Sequence, residues 1–351
     1  MIEEHNISDK NIDNIIEFLK FKMAIDTVDQ GYHQAKVVGK INLPLDKTIS
    51  EIKEYFSSVD YTPLFSEEEK RHVIMFARFR PAEDKPKYWL NAILFLATIL
   101  STIFAGFLNY GNLSAGVIFS FSIMAILTCH ELGHYFVSKK AGMITTLPYF
   151  IPLPGHFVGT FGAVIRMKSI VPSRKSLLRV GMAGPIAGFL IALPLTIIGI
   201  YLSQVKTALP QANYLRLGDS FLFYLLAKIL HPNIPPGADV YLHPMAFAGW
   251  LGFLVTSMNL IPIGQLDGGH VAYSVLLHKR KYLYIPIMAG LVALGFLWMG
   301  WFIWVLLAFF IARRDPLIQD SLTPLSNQEK IYALFPLIVL ILTFIPKPFS
   351  M

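Results

Sequence analysis

The 351-residue sequence predicts a polytopic α-helical membrane protein, with about six to seven membrane-embedded helices and a re-entrant hairpin, behind a small N-terminal α+β cytoplasmic domain. Three observations lead there. Hydrophobic residues make up 54% of the chain and charged residues 15%, with a mean hydropathy of +0.52, outside the balance of soluble domains. Apolar runs long enough to cross a bilayer begin at Tyr88 and recur, whereas residues 1–86 are polar. Basic residues flank the apolar runs, so the formal charge of +7 is assigned to topology, and no nucleic-acid partner is expected. The single cysteine, Cys129, excludes an internal disulfide, argues against a thiolate-rich metal site and reads as a small buried thiol. The segment Met1 to Asn6 is acidic, with no basic region before an apolar core, so no cleavable signal peptide is expected.

Two domains follow, residues 1–86 and 87–351. In the first, Ile12 to Met23 has helical apolar spacing. Gln34 to Leu43 nearly alternates, with Ala35, Val37, Ile41 and Leu43 on one face. Lys47 to Phe56 reads as a second helix with Thr48 and Ser50 near its start, and Tyr61 to Phe65 and His72 to Ala77 read as short strands. Nothing here has metal or nucleotide spacing; a regulatory or substrate-filtering domain and a passive folding unit are both open.

Arg78, Arg80, Lys85 and Lys87 precede the first span, Tyr88 to Leu108, and place the N-terminus in the cytoplasm of a multi-pass protein of the cell membrane. The turn Asn109 to Ser114 leads to the second span, Ala115 to Val137, whose inner end is marked by Lys139 and Lys140. Pro148 to Met167 is apolar but broken by Pro152, Pro154, Gly155, Gly159 and Gly162, the pattern of a re-entrant loop or hairpin; such backbone persists at membrane depth only beside protein or a wet cavity. Arg166, Lys168, Arg174, Lys175 and Arg179 keep this connection cytoplasmic, and Leu177 to Leu202 is a third span. Gly184 and Gly188 in it form a G-x-x-x-G face suited to helix packing. Residues 203–242 form an external connection in which Phe221 to Leu230 is too short to span. His243 to Ile263 returns inward, and His278 to Lys281 marks the inside. Tyr282 to Ala312 reads as a helical hairpin around Met299-Gly300, or as one long helix that would reverse the final orientation. Arg313 and Arg314 follow, then a last span, Ile331 to Ile345.

The second span carries His130-Glu131-Leu132-Gly133-His134. Residues four apart share a helix face, so His130 and His134 offer two imidazoles to one metal while Glu131 flanks it as a base. Ionisable residues in a spanning segment cost roughly 2.5–3.5 kcal/mol each at the helix centre, and so mark function. The alternative is a chance match on a buried helix. A third ligand decides between them, because a hydrolytic zinc usually takes three protein ligands and one water. Asp267 is the best candidate, since Leu266-Asp267-Gly268-Gly269-His270 follows the inner end of the fourth span, at the depth of the histidines. An Asp-Gly pair also reads as a turn or helix cap. His270 is a spare ligand, a partner to one or a packing residue; His156 lies in the hairpin segment and His243 at the opposite face.

Read together, the intramembrane H-E-x-x-H and Asn259-Leu260-Ile261-Pro262-Ile263-Gly264-Gln265-Leu266-Asp267-Gly268 resemble the site-2 protease family of intramembrane metalloproteases, closest to a bacterial and plastid branch. Gly159-Thr160-Phe161-Gly162 and Gly184-Pro185 also look like its pattern. The resemblance covers about residue 88 to the C-terminus, with no evident PDZ-like insertion, and leaves residues 1–86 unexplained. It implies one catalytic Zn2+ held by His130, His134 and Asp267, Glu131 as general base, and Asn259 near the scissile carbonyl. It further implies single-pass transmembrane substrates within the lipid bilayer, often shortened beforehand by an upstream site-1-type protease.

A transmembrane substrate helix must unwind before cleavage, and an exposed strand edge between Gly159 and Val164 is expected to take the extended chain as an added strand, with Gly159 and Gly162 permitting close approach. Two other classes compete. A metal-ion transporter would line a path with His130, Glu131, His134 and Asp267, but Tyr88 to Leu108 and Tyr282 to Ala312 carry no charged residues to continue one. An inactive receptor for transmembrane segments would not need the intact Glu131.

Overall fold

The computed structural model describes residues 10–31, 33–78, 86–207, 216–311 and 316–350. The basic residues Arg80, Lys85, Arg313 and Arg314, and the segment Met1 to Asn6, lie outside the described residues. The chain divides into two compact units, the first built from Met1–Asp84, Ser169–Ser176 and Leu317–Ser326, the second from the remainder.

The first unit repeats one pattern twice: α1 (Lys10–Lys20), β1 (Met23–Gly31), β2 (Gln34–Ile41), then α2 (Leu45–Ser58), β3 (Thr62–Glu68), β4 (Arg71–Ala77). The strands form an antiparallel sheet in the order β1-β2-β4-β3. Ile12, Ile15 and Leu19 of α1 and Ile49, Ile52 and Phe56 of α2 share one core with Ala35, Val37, Ile41, Phe65, Ile74 and Phe76 of the sheet. The alternation of β2 buries Ala35, Val37 and Ile41 as expected. Leu43 departs from that face: β2 ends at Ile41, and Leu43 is exposed in the turn before α2. Met23 starts a strand rather than ending a helix, and β1 carries no alternation signal because it is an edge strand exposed along most of its length.

The β3 edge is not bare. Phe65 N–H donates to the Gln319 carbonyl (2.7 Å) and Ser321 N–H to the Phe65 carbonyl (3.1 Å), pairing Phe65 with Asp320 in parallel. Val171 brackets the same ribbon, accepting from Gln319 N–H at 2.7 Å and donating to the Leu317 carbonyl at 3.1 Å. Asp320 is buried and receives Lys53 Nζ at 3.2 Å and Thr323 Oγ1 at 2.8 Å. Pairing satisfies backbone groups that an open sheet edge would leave exposed.

The second unit is mostly helical. Among the described residues, three helices are long and apolar enough to cross a membrane: α3 (Tyr88–Tyr110), α4 (Leu113–Lys140) and α5 (Arg174–Tyr201). The chain is a membrane protein on this composition. Between α4 and α5 lies an antiparallel hairpin, β5 (Tyr149–Pro152) with β6 (Thr160–Val164). Asn91 Nδ2 at the start of α3 donates to the carbonyls of Leu147 (3.1 Å) and Pro148 (2.8 Å), and Asn109 Nδ2 at its end donates to Phe157 (2.8 Å). The hairpin segment is thereby held along α3 at both ends.

After α5 come β7 (Gln204–Thr207), β8 (Arg216–Leu217), α6 (Phe221–Leu230), β9 (Ala238–Tyr241), α7 (Pro244–Asn259) and α8 (Asp267–Leu276). The apolar segment Phe221 to Leu230 coincides with α6. The segment His243 to Ile263 yields α7, whose 16 residues fall short of a span; it is buried almost throughout and forms the centre of the unit, with Phe247 stacked on Phe119. A hairpin of α9 (Lys281–Gly295) and α10 (Gly300–Ile311) replaces the single-long-helix alternative, its break falling at residues 296–299. The final apolar segment divides at Ala333 into α11 (Asn327–Tyr332) and α12 (Leu334–Thr343), with β10 (Phe349–Ser350) pairing β8. By length and composition, three of the described helices are thus candidate spans.

Candidate metal centre

The site begins with α4. Asn112 caps it, its side chain accepting from Ala115 N–H at 2.8 Å, and 28 residues of continuous helix carry the chain past His130 and His134. Both histidines and Glu131 are buried. The helical spacing brings the two Nε2 atoms to 3.2 Å.

Asp267 arrives from a separate element. Residues 260–266 fold tightly after α7, and Asp267 opens α8. A Cβ on Gly268 would stand 1.9 Å from the Leu260 carbonyl oxygen, and one on Gly269 would stand 2.3 Å from that of Gly264. Only glycine fits there, so the turn and the first turn of α8 can press together, and the Asp267 carboxylate reaches both histidines. Its Oδ2 lies 3.3 Å from His130 Nε2 and its Oδ1 3.2 Å from His134 Nε2.

Three ligand groups therefore converge: two imidazole nitrogens 3.2 Å apart and a carboxylate whose two oxygens each lie 3.2–3.3 Å from one of them, with one ligand atom from each residue within 4.8 Å of the others. A tetrahedral zinc with bonds of about 2.0–2.1 Å would separate its ligand atoms by roughly 3.3–3.4 Å, so the donor set and the 3.2 Å separation of the two imidazole nitrogens fit that ion. The second nitrogen of His134 is engaged: Nδ1 lies 2.8 Å from the Val180 carbonyl oxygen of α5. As donor to that carbonyl, Nδ1 carries the proton and leaves the Nε2 lone pair free to bind a metal. Glu131, one residue along α4 from His130, is buried beside these groups.

The remaining sequence-derived positions fall in distinct settings. Asn259 is the last residue of α7 and half-buried. Gly159 and Gly162 both have positive φ, +77° and +95°, which favours glycine. Their surroundings differ. A Cβ on Gly159 would meet Ser101 O at 2.7 Å and Thr102 Cα at 2.8 Å, so this glycine packs against α3, whereas nothing stands within 4 Å of a Cβ on Gly162. His156 is exposed, and its Nδ1 accepts from Val158 N–H at 3.3 Å; His243 caps α7; His270 is buried in the first turns of α8, and none of the three belongs to the triangle. Sequence reading missed Val180 because it acts through its backbone carbonyl, which no side-chain motif reveals.

A membrane-embedded helical unit with a histidine, histidine and aspartate triangle beside a buried glutamate defines a class, that of a membrane protein with a metallopeptidase-type site. The chain belongs to Peptidase family M50, whose family model matches residues 118–298. It is 31% identical over 254 residues to "Probable zinc metalloprotease EGY2, chloroplastic" of Arabidopsis thaliana, covering 71% of this chain and 45% of that protein. It is 32% identical over 263 residues to the protein of the same name from Oryza sativa subsp. indica, covering 74% and 47%. With "Probable zinc metalloprotease EGY1, chloroplastic" of Arabidopsis thaliana it shares 30% over 247 residues, covering 68% and 44%. The chain thus spans less than half the length of these relatives. No solved structure matches.

Proposed function

We propose that the protein is an intramembrane zinc metalloendopeptidase that hydrolyses peptide bonds within or near transmembrane segments of membrane-anchored substrates. The observation that carries this reading is the mutual approach of His130, His134 and Asp267 at 3.2–3.3 Å, with Glu131 buried beside them. Family membership and the names of the relatives agree with it. His130 and His134 would hold zinc through Nε2 and Asp267 through its carboxylate. When bound, zinc supplies a Lewis acid that makes water a nucleophile near neutral pH.

The chain's own residues do the rest. Glu131 takes the proton of the attacking water on its carboxylate and passes it to the leaving amine. The Asn259 amide donates to the oxygen of the scissile carbonyl. The substrate unwinds and pairs along the outer edge of β6, where Phe161 and Val164 are exposed and Gly162 is open. Gly159 contributes to this indirectly, by seating the hairpin on α3.

We further place the hairpin within the membrane and the N-terminal unit on the cytoplasmic side of a cell membrane, from Lys87, Lys139, Lys140 and Lys168 at the ends of the adjacent spans. Substrates trimmed by an upstream protease fit a site of this kind. The decisive experiment reconstitutes the purified protein in liposomes with a single-pass substrate. Cleavage by the parent and none by Glu131→Gln, with zinc retained in both, supports the proposal. Cleavage surviving Glu131→Gln refutes the assigned base, and zinc uptake without cleavage points to transport.

A further inference from the structure

The G-x-x-x-G stretch of α5 reads in sequence as a helix-packing face, and in the structure its neighbours are the metal-site residues themselves. Gly181, Gly184 and Gly188 stand three and four residues apart, on one face of α5. A Cβ on Gly181 would lie 3.0 Å from the Asp267 carbonyl oxygen and 3.0 Å from His270 Cβ. A Cβ on Gly188 would lie 3.2 Å from His130 Nδ1. A Cβ on Gly184 would lie 2.0 Å from His134 Nε2, the atom that faces Asp267 and His130, and 2.4–2.6 Å from the two ring carbons flanking it. One turn earlier, the Val180 carbonyl holds the other nitrogen of the same ring. The His134 imidazole is therefore gripped at one edge by a carbonyl, while its ligand edge faces a residue without a side chain.

We propose that Gly184 is a positioning residue for the metal centre: its missing side chain leaves the space into which His134 Nε2 projects, so that α5 sets ligand geometry rather than helix packing alone. This rests on the metal site proposed above. A methyl group at position 184 cannot coexist with the imidazole in its present rotamer, and the ring must turn away, breaking either the Val180 hydrogen bond or the triangle. Gly188, whose contact is softer, tolerates a methyl with a small adjustment.

The test uses the full chain in detergent and reads zinc per folded molecule and thermal stability. Gly199→Ala is the control, because a Cβ there would meet the Ala246 nitrogen at 2.1 Å, an equally tight contact farther along the same helix and outside the metal site. Gly184→Ala should lower zinc affinity at least tenfold, whereas Gly188→Ala and Gly199→Ala should stay within about threefold of the parent. A double-mutant cycle removes the folding ambiguity. In a His134→Ala background the clashing ring is gone, so Gly184→Ala should lower the melting temperature far less than in the parent, while the effect of Gly199→Ala stays the same. Equal costs of Gly184→Ala in both backgrounds, zinc affinity kept within threefold, or equal zinc loss in the Gly199 control would each overturn the proposal. A parent protein that binds no zinc would instead remove the metal site itself, and this inference with it.

Discussion

The two units sort polarity differently. In the first, apolar side chains of α1, α2 and the sheet meet in one core and the other face of each element is polar, so hydrophobicity marks the inside. In the second, Leu96, Leu100, Leu108, Phe121, Phe136, Leu190, Ile303 and Leu306 are exposed on the helices, while Thr98, Thr102, Ser120, Ser122, Thr196, Thr256, Ser257 and Thr343 are buried. Lipid rewards apolar surface, so in this unit apolar side chains lie both in the core and on the outside, and hydroxyl side chains are buried between the helices. Thr102 and Ser120, for example, share a 2.7 Å hydrogen bond between α3 and α4. The charged groups of the metal centre are the extreme of that rule, and their cost is what makes them informative.

The difference can be broken or sharpened by substitution. The largest effect is expected at the metal centre. Glu131→Gln should lower the cleavage rate by about 10²–10⁴-fold in a reconstituted assay, with zinc content unchanged. Asp267→Ala should lower zinc affinity by more than about 100-fold, measured by competition with a chelator, because it removes one of three donors. Zinc binding undiminished in that variant would detach Asp267 from the site.

The first unit should respond to packing and not to metal. Phe56→Ala deletes a fully buried ring against Phe76 and should destabilise that unit by about 3–5 kcal/mol in denaturant titration, leaving zinc stoichiometry as in the parent. Lys53→Ala strips a partner from buried Asp320 and should cost about 1–3 kcal/mol, against less than about 1 kcal/mol for Lys36→Ala, whose partner Glu68 is exposed. Equal costs for the two lysines would mean that the Leu317–Ser326 segment is not an integral part of the unit. The smallest effect concerns Glu51. The hydrogen bond from Lys22 Nζ holds its carboxyl below the usual range, against opposing burial, with Lys22 and Lys47 charges adding to the same direction. A depressed carboxyl stabilises above its ordinary pKa and loses that contribution as pH falls through the folded value. The melting-temperature difference between parent and Glu51→Gln should thus be present at neutral pH and vanish in acid.

Much of this protein was legible one segment at a time. Helical spacing located α1 and α2, alternation located β2, and the apolar runs from Tyr88, Ala115 and Leu177 located the three helices long enough to span. The pair His130 and His134 could be read because a helix period alone puts them on one face. Local patterns fail where an element's environment comes from elsewhere in the chain. β1 is an exposed edge strand without alternation, and α7 has the composition of a span but is a short helix enclosed by its neighbours.

The sequence by itself determined that a membrane-embedded helix carries two imidazoles and a carboxylate on adjacent positions, and it offered Asp267 as a partner. Only the tertiary structure decided that Asp267 closes a triangle with both histidines, that a ribbon of residues 317–321 completes a sheet begun some 250 positions earlier, and that Gly184 faces a ligand atom rather than a neutral helix surface. The reason is physical. Side-chain identity and local period are written along the chain, whereas a carbonyl's direction, the fold of a tight turn and the space left by an absent Cβ exist only once distant segments have packed.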